Sequence, residues 1–349
     1  MLDRLLPPSD RAAVGAVNPV PGARPGAPLD RRAREDLAHI LATPRVVAAP
    51  PVPEARAPRR AGARRPGRLG LAVALTTVAA VALSVAGLGL DLGRDRPAGG
   101  AYAATPALLE YTPAGTDAAA ALRRIADRTA TLPDTTGDGR YALVETRSWD
   151  LFTRIDGDRR ITSAVVESRT STWTAADGSG RLLRRYQVPG KRPHVEDQAM
   201  SAGGLALMWP LRSLAPDDAA LARELERNHP VANGPAERLV AIADAYRQMP
   251  LPPAVRAAVL RYLADTPGLA LTGRVVDRAG RAGIAVSVDS DHSGLPTRYT
   301  LIVDPGDGRL LGTEDMLTTT AGKLGVPVPS VIGYTVFLDG GRYTDSTRS

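Results

Sequence analysis

An uninterrupted apolar stretch at residues 69–90, LGLAVALTTVAAVALSVAGLGL, constrains this chain more than any other feature. A helix rises about 1.5 Å per residue, so a stretch of this length can cross a hydrocarbon core of about 30 Å. The alternative is a buried helix of a water-soluble domain, but such helices are usually shorter and keep a polar edge. The sequence therefore predicts one transmembrane helix at residues 69–90.

The charges that flank this stretch predict its orientation. The residues just before it include a cluster of arginines: Arg59, Arg60, Arg64, Arg65 and Arg68. The residues just after it are of mixed sign and include Asp91, Arg94 and Asp95. Basic residues accumulate on the cytoplasmic side of a membrane. We therefore expect a cell-membrane protein with a cytoplasmic amino terminus and an extracytoplasmic carboxyl-terminal domain.

The net charge of +7 lies entirely in the segment before the apolar stretch. Residues 1–68 contain 13 basic and 6 acidic residues, and the part after residue 90 is neutral overall. A basic cluster beside a bilayer is attracted to anionic lipid headgroups. The lipid bilayer is thus the predicted partner of this cluster, and no nucleic acid is expected.

Cleavage as a signal peptide is an alternative that the sequence leaves open. Ala101 and Ala103 flank Tyr102 in a small-x-small pattern, which would release a chain beginning at Ala104. The 68 residues before the stretch and the length of the stretch itself are atypical of signal peptides. The chain has no cysteine, so neither a lipid-modified cysteine nor a disulfide is possible.

The remaining domain boundaries follow from composition. Residues 1–68 are rich in proline, alanine, glycine and arginine, and this composition predicts a largely disordered arm. Asp30 can cap a short helix at residues 30–42, with Leu37 and Ile40 on one face. This helix is a candidate contact for a cytoplasmic or envelope regulatory protein. Residues 91–115 are predicted as a juxtamembrane linker and residues 116–349 as the extracytoplasmic domain.

The pattern of this domain changes from strand to helix and back to strand. A first helix is predicted from residue 116, followed by strands at 141–153, 160–175 and 181–188. Helices are predicted at 217–228, 235–249 and 253–265. Five further strands are predicted at 269–276, 284–290, 298–303, 309–316 and 330–338. This order predicts an α+β domain in which a curved antiparallel sheet packs against a helical block.

Four segments carry a resemblance to a known family: AATPALL at 103–109, YLADTPG at 262–268, VDRAGR at 276–281 and IVDPGDGRLLG at 302–312. They resemble an uncharacterised family of actinobacterial single-pass membrane proteins. The architecture is also similar to the lipoprotein-carrier fold, which periplasmic regulators of anti-sigma factors share. This resemblance implies a curved sheet around helices that can hold a lipid, and it implies no catalytic residues.

One acidic segment partly matches a calcium-binding loop. If Asp134 is position 1, Asp138 is position 5, Gly139 is position 6 and Glu145 is position 12. Position 3 is Thr136, and the residues that follow are typical of a strand rather than of the expected helix. A polar turn before a strand explains the same residues, so calcium binding remains open and no metal site is predicted.

The chain shows no recognisable catalytic motif. Its four histidines, His39, His194, His229 and His292, lie in separate segments and outside any known nucleophile or metal motif. An enzyme would need some of the last three to converge with carboxylates in one cleft. We therefore predict no catalytic, cofactor-binding or metal-binding residues and no enzymatic activity.

The predicted function is ligand or partner binding by the extracytoplasmic domain, in envelope sensing or regulation. The alternative is a carrier that holds a lipid or another apolar ligand between sheet and helices. That alternative predicts a cavity lined by Trp149, Trp173 and helical residues. The ligand, the partner and the oligomeric state are not specified by the sequence.

Overall fold

The computed structural model describes residues 105–348 apart from Thr116, 156–160 and 189–190, together with Ala72 and Val73. The predicted arm at 1–68 with its helix at 30–42 lies outside the described residues, as does most of the predicted span at 69–90. Ala72 and Val73, which lie within that span, form a two-residue strand. Among the described residues, no helix is long and apolar enough to cross a bilayer. Membrane insertion therefore stays a prediction.

The described chain contains four α-helices and eleven strands. The helices are α1 (Ala118–Ala130), α2 (Asp218–Asn228), α3 (Ala236–Gln248) and α4 (Pro253–Ala264). The strands up to the helical block are β1 (Ala72–Val73), β2 (Tyr141–Ile155), β3 (Ile161–Thr174), β4 (Gly180–Gln187) and β5 (His194–Met200). Those after it are β6 (Ala270–Val276), β7 (Ala282–Ser290), β8 (Thr297–Val303), β9 (Leu310–Leu317), β10 (Ser330–Phe337) and β11 (Arg342–Thr344).

All of these strands join one open antiparallel sheet. The strand order is β5-β4-β3-β2-β10-β9-β8-β7-β6, so β5 and β6 form the two edges. Three strands share one side of the long strand β2: β11 pairs with its beginning, β10 with its middle and β1 with its end. The pairing of β2 with β10 therefore joins the amino-terminal and carboxyl-terminal halves of the sheet.

The two faces of the sheet have different neighbours, because successive side chains of a strand point to opposite sides. We call one side the helix face, since Val144, Val286 and Leu301 form a single buried cluster with residues of all four helices. We call the other side the outer face. There Leu143, Trp173 and Leu183 form a separate cluster that contains no helical residue. This division decides which strand residues can meet a helix.

The helices are held against the sheet by fully buried side chains. Asp117 begins α1 by accepting a hydrogen bond from the backbone N–H of Ala120, which satisfies one of the unpaired donors at a helix start. Pro253 is the first residue of α4, and the φ angle that its ring fixes is one that a helix requires. Leu122, on α1, is completely buried in the cluster beneath the helices. The helical block is therefore an integral part of the domain core.

Part of the outer face is covered by the segment that precedes α1. Leu109 and Tyr111 pack against a small cluster of Val275, Ala285, Ile302 and Leu311. Thr112 forms two backbone hydrogen bonds with Arg274 of β6, at 2.9 and 2.8 Å between nitrogen and oxygen. The predicted linker at 91–115 therefore contributes residues 105–112 to the folded domain, up to this bridge.

The structure confirms an α+β domain with an antiparallel sheet and a helical block. Most predicted elements agree with the observed ones to within two residues, α4 among them. Three strands were not predicted: β1, which lies within the predicted span, and β5 and β11, whose side chains are mostly exposed or half-buried where the structure describes them. An edge strand with little burial shows no clear alternation of apolar and polar residues, and this explains the omission of β5.

Candidate functional site

Strand β2 changes character along its helix face. Ala142 and Val144 are buried beneath the helices, whereas Ser148 and Asp150, further along the same face, are only half-buried. The Ser148 hydroxyl donates a hydrogen bond of 2.9 Å to Asp150 Oδ2. The helices thus leave a polar part of the sheet open, and the candidate site is this part.

A glycine places two carboxylates beside one another there. Gly333 of β10 is paired with Asp150 on one side and with Asp315 of β9 on the other. Paired residues of neighbouring strands point to the same face, so both aspartates lie on the helix face. A methyl group added at Gly333 would lie 3.5 Å from Asp150 Oδ1. The carboxylate of Asp150 therefore lies close to the space that a larger residue at position 333 would occupy.

Helix α3 supplies a cation to the same place. The guanidinium of Arg247 forms a 2.9 Å ion pair with Asp244 Oδ1 and donates a 3.3 Å hydrogen bond to Thr335 Oγ1. Its positive charge also lowers the pKa of Asp150 and of Asp315, although in both groups burial has the larger effect. We call Asp150, Asp315, Asp244 and Arg247 the acidic recess.

Burial makes these carboxyl groups weaker acids than an ordinary aspartate. The pKa of Asp315 is raised to about 7: burial is the main cause, Arg247 opposes it, and the nearby charges of Asp150 and Glu314 add to it. Burial also raises the pKa of Asp150 and of Asp244. Among the described residues, no hydrogen bond or ion pair holds the Asp315 carboxylate. Near neutral pH this group can therefore take up or release a proton with little change in free energy.

A buried histidine extends the charged groups along α3. His229 Nδ1 lies 2.8 Å from Glu237 Oε1, and His229 Nε2 lies 3.6 Å from Asp244 Oδ2. The hydrogen bond from His229 is the largest influence on Glu237 and lowers the pKa of that carboxyl group. The second oxygen of Asp244, Oδ2, is buried without a hydrogen-bond partner. Asp244 thus links His229 to Arg247, and so to the rest of the acidic recess.

The charges of this arrangement are suited to binding a cation. The recess combines several carboxylates with a single arginine, and such a set can accept a positively charged or hydrogen-bond-donating group. Within the described ranges, no group of three or more histidine, aspartate or glutamate side chains has the geometry to hold a metal ion.

The three acidic residues of the partial calcium-loop match have separate partners. Asp134 Oδ1 accepts hydrogen bonds of 2.8 Å from both the backbone and the hydroxyl of Thr136, and these bonds lower the pKa of Asp134. Glu145 lies on β2 and accepts a 2.9 Å hydrogen bond from Ser171. Asp138 lies 3.9 Å from Arg212. Because Asp134 is committed to its own turn, the polar-turn interpretation fits these residues.

The tryptophans of the carrier alternative lie on the wrong face for it. Trp173 pairs with Leu143 and is buried in the cluster of the outer face. Trp149 is six residues along β2 from Leu143 and so lies on the same face, where its ring stacks on Tyr334 with centroids 6.2 Å apart. Both rings are therefore separated from the helices by the sheet. The prediction that they line a cavity between sheet and helices is not supported by this geometry.

The three described histidines lie on different elements, and two of them, His229 and His292, act on the same carboxylate, Glu237. His194 begins β5 and contacts the Tyr186 ring at 4.9 Å between centroids. His292 is exposed in the turn between β7 and β8, and it helps to lower the pKa of Glu237. Of the described histidines, only His229 directly contacts carboxylates, and its side chain is completely buried.

The acidic recess was missed by the sequence reasoning, although one signal for it is visible. On β2 the alternate residues Thr146, Ser148 and Asp150 are all polar, directly after the apolar Ala142 and Val144. A strand face that becomes polar part-way along indicates that its cover ends there. The partner carboxylate, Asp315, had no comparable signal, since its position depends on the pairing of β9 and β10.

Comparison with known proteins adds little. No protein-family model matches this chain, and no curated protein matches it. Among solved structures, a chain of the Pseudomonas aeruginosa MucA/MucB complex is 18% identical over 63% of this chain and 55% of that chain. The chain therefore covers little more than half the length of that neighbour. The TM-score is 0.21, and a likeness at that level carries no structural or functional argument.

Proposed function

We propose that this chain is a single-pass membrane protein whose extracytoplasmic domain binds a ligand or a partner without catalysing a reaction. The acidic recess is the observation that supports binding. It combines three buried or half-buried carboxylates with one arginine, and no hydrogen bond or ion pair among the described residues holds Asp315. A cationic group of a ligand or partner would offset the cost of keeping these carboxylates away from water.

The absence of catalysis is part of the same proposal. The two exposed histidines, His194 and His292, lie at different strand ends, and His229 is buried. The groups that remain in the recess can hold a charge or a proton. Binding through that charge is the simplest use of them.

Titration with agmatine, which carries a guanidinium and an ammonium group, tests binding at the recess. The full-length protein is compared with the double variant Asp150→Asn and Asp315→Asn by isothermal titration calorimetry at pH 8, where Asp315 is mostly ionised. We expect the double variant to bind at least tenfold more weakly. The control is Asp289→Asn, which removes an aspartate that is paired with Arg298 on the outer face and should bind as the wild type does. Equal affinity in all three proteins would contradict the proposal.

Regulation is proposed to pass through the cytoplasmic arm. The predicted helix at 30–42 would contact a regulatory protein while the domain outside the membrane senses its ligand. Deleting residues 30–43 should abolish capture of a cytoplasmic partner and leave the urea unfolding curve of the folded domain unchanged. If the deletion changes no interaction, the arm serves only to set topology.

A further inference from the structure

Three arginines lie directly opposite one another across the outer face of the sheet. Arg147 of β2 is paired with Arg169 of β3, and Arg169 is paired with Arg185 of β4. Paired residues share a face, and neighbouring strands lie about 4.8 Å apart. We call Arg147, Arg169 and Arg185 the arginine row. It crosses three strands and continues to Val195 on the edge strand β5.

Such a row is unfavourable for folding alone. Like charges directly opposite one another on a sheet destabilise it. Arg169 and Arg185 are exposed, and neither forms a hydrogen bond or ion pair within the described part of the chain. Arg147 donates a hydrogen bond to the backbone carbonyl of Arg278, and its Nε is buried without a partner. No carboxylate of the described residues lies at ion-pair distance from any of the three.

Most carboxylates near the row are committed to other groups. Asp197 forms a two-pronged ion pair with Arg181, at 2.8 Å for each contact, although Arg185 also helps to lower its pKa. Glu314 is held by Arg278, and Glu145 by Ser171. The exception is Glu167, which is exposed on the same face of β3, two residues before Arg169. The surface therefore presents three unneutralised cations beside one anion.

We propose that the arginine row is a docking surface for an acidic segment of a partner protein. The guanidinium fork fits a carboxylate through two parallel hydrogen bonds, and arginine is suited to interface ion pairs. Three cations in a line about 10 Å long match a few successive acidic residues of an extended peptide. Glu167 favours a peptide over a polyphosphate, because alternate side chains of an extended peptide point away from the surface and need not lie opposite Glu167, whereas every unit of a polyphosphate is charged.

Fluorescence anisotropy with labelled hexaglutamate and full-length protein tests the proposal at low ionic strength. The test variant is Arg169→Gln with Arg185→Gln, which removes two exposed charges. The control is Arg124→Gln with Arg223→Gln, which removes two exposed arginines of α1 and α2 and so changes the net charge equally. We expect at least tenfold weaker binding in the test variant and less than a twofold change in the control.

Several results would overturn this assignment. An equal loss of affinity in both variants would show that net charge alone attracts the peptide. Binding of polyphosphate through the row, without binding of hexaglutamate, would assign the surface to a different class of partner. The melting temperature of the test variant should equal or exceed that of the wild type, because replacing Arg169 and Arg185 removes the repulsion between neighbouring arginines. A lower melting temperature would show that these arginines stabilise the folded domain.

Discussion

Replacing Asp315 with asparagine tests whether the acidic recess keeps this carboxyl group protonated in the folded protein. Burial raises the pKa of Asp315 to about 7 from its ordinary value of 3.8. Between these two values the folded protein holds a proton that the unfolded chain has released. The free energy of unfolding therefore decreases as pH rises through this interval, and the loss is complete above pH 7.

The size of the effect follows from the same two values. One pKa unit corresponds to about 1.4 kcal/mol, so Asp315 lowers the free energy of unfolding by at most about 4 kcal/mol between pH 4 and pH 8. This is an upper bound, because the half-buried carboxylate keeps some contact with water. Asparagine has no charge at any pH. The Asp315→Asn variant therefore loses this contribution while keeping a side chain of similar shape.

Urea unfolding of the full-length protein at pH 4, 5, 6, 7 and 8 measures the difference. Tryptophan fluorescence is a suitable signal, since Trp173 and Trp209 are almost completely buried. The free energy of unfolding of wild type minus that of Asp315→Asn should fall steadily as pH rises. In the control Asp289→Asn this difference should not fall, because the ion pair with Arg298 lowers the pKa of Asp289.

A difference that rises with pH in Asp315→Asn would refute the reasoning. It would mean that Arg247 stabilises the ionised carboxylate by more than burial disfavours it. A difference that stays constant would show that Asp315 titrates as it does in the unfolded chain, and the recess would then be open to bulk water.

Three further predictions concern the packing of the domain. Arg278→Ala should destabilise the protein by about 3–5 kcal/mol in urea unfolding, because it leaves the buried carboxylate of Glu314 unpaired; an effect below 1 kcal/mol would contradict this. Leu225→Ala should cost about 2–5 kcal/mol, seen as a lower melting temperature, since the side chain is completely buried. Gly180→Ala should cost more than about 1 kcal/mol, since the added methyl would lie 1.8 Å from the Trp173 carbonyl oxygen; wild-type stability would show that the turn is differently built.

The sequence was sufficient for the elements with strong local signals. Helix α4 was predicted at 253–265 and observed at Pro253–Ala264, because a proline begins it and Pro267 and Gly268 follow its end. Strands β2 and β3 were predicted from their valine, threonine and aromatic residues together with the polar turns between them. Local chemistry determines these elements, and no distant contact is needed to locate them.

The acidic recess could not be predicted in the same way. Asp150 and Asp315 meet only because β10 lies between β2 and β9, with Gly333 at the paired position. The carrier alternative also assumed that Trp149 points towards the helices. Adjacent residues of a strand point to opposite faces, so that assumption turned Asp150 away from the helices. Assigning Trp149 to the helix face was therefore wrong, and it also implied that Asp150 lies on the outer face.

The pairing of β2 with β10 also determines when this domain can fold. The two strands are separated along the chain by seven other strands and three helices. Contacts between such distant segments require the closure of a long loop, and chains rich in them fold slowly. Until β10 has been synthesised and has left the ribosome, the middle of β2 has no neighbour on one side and is open to aggregation. Truncating the chain before β10 should therefore give an insoluble product, because the first half of the sheet depends on one of its last strands.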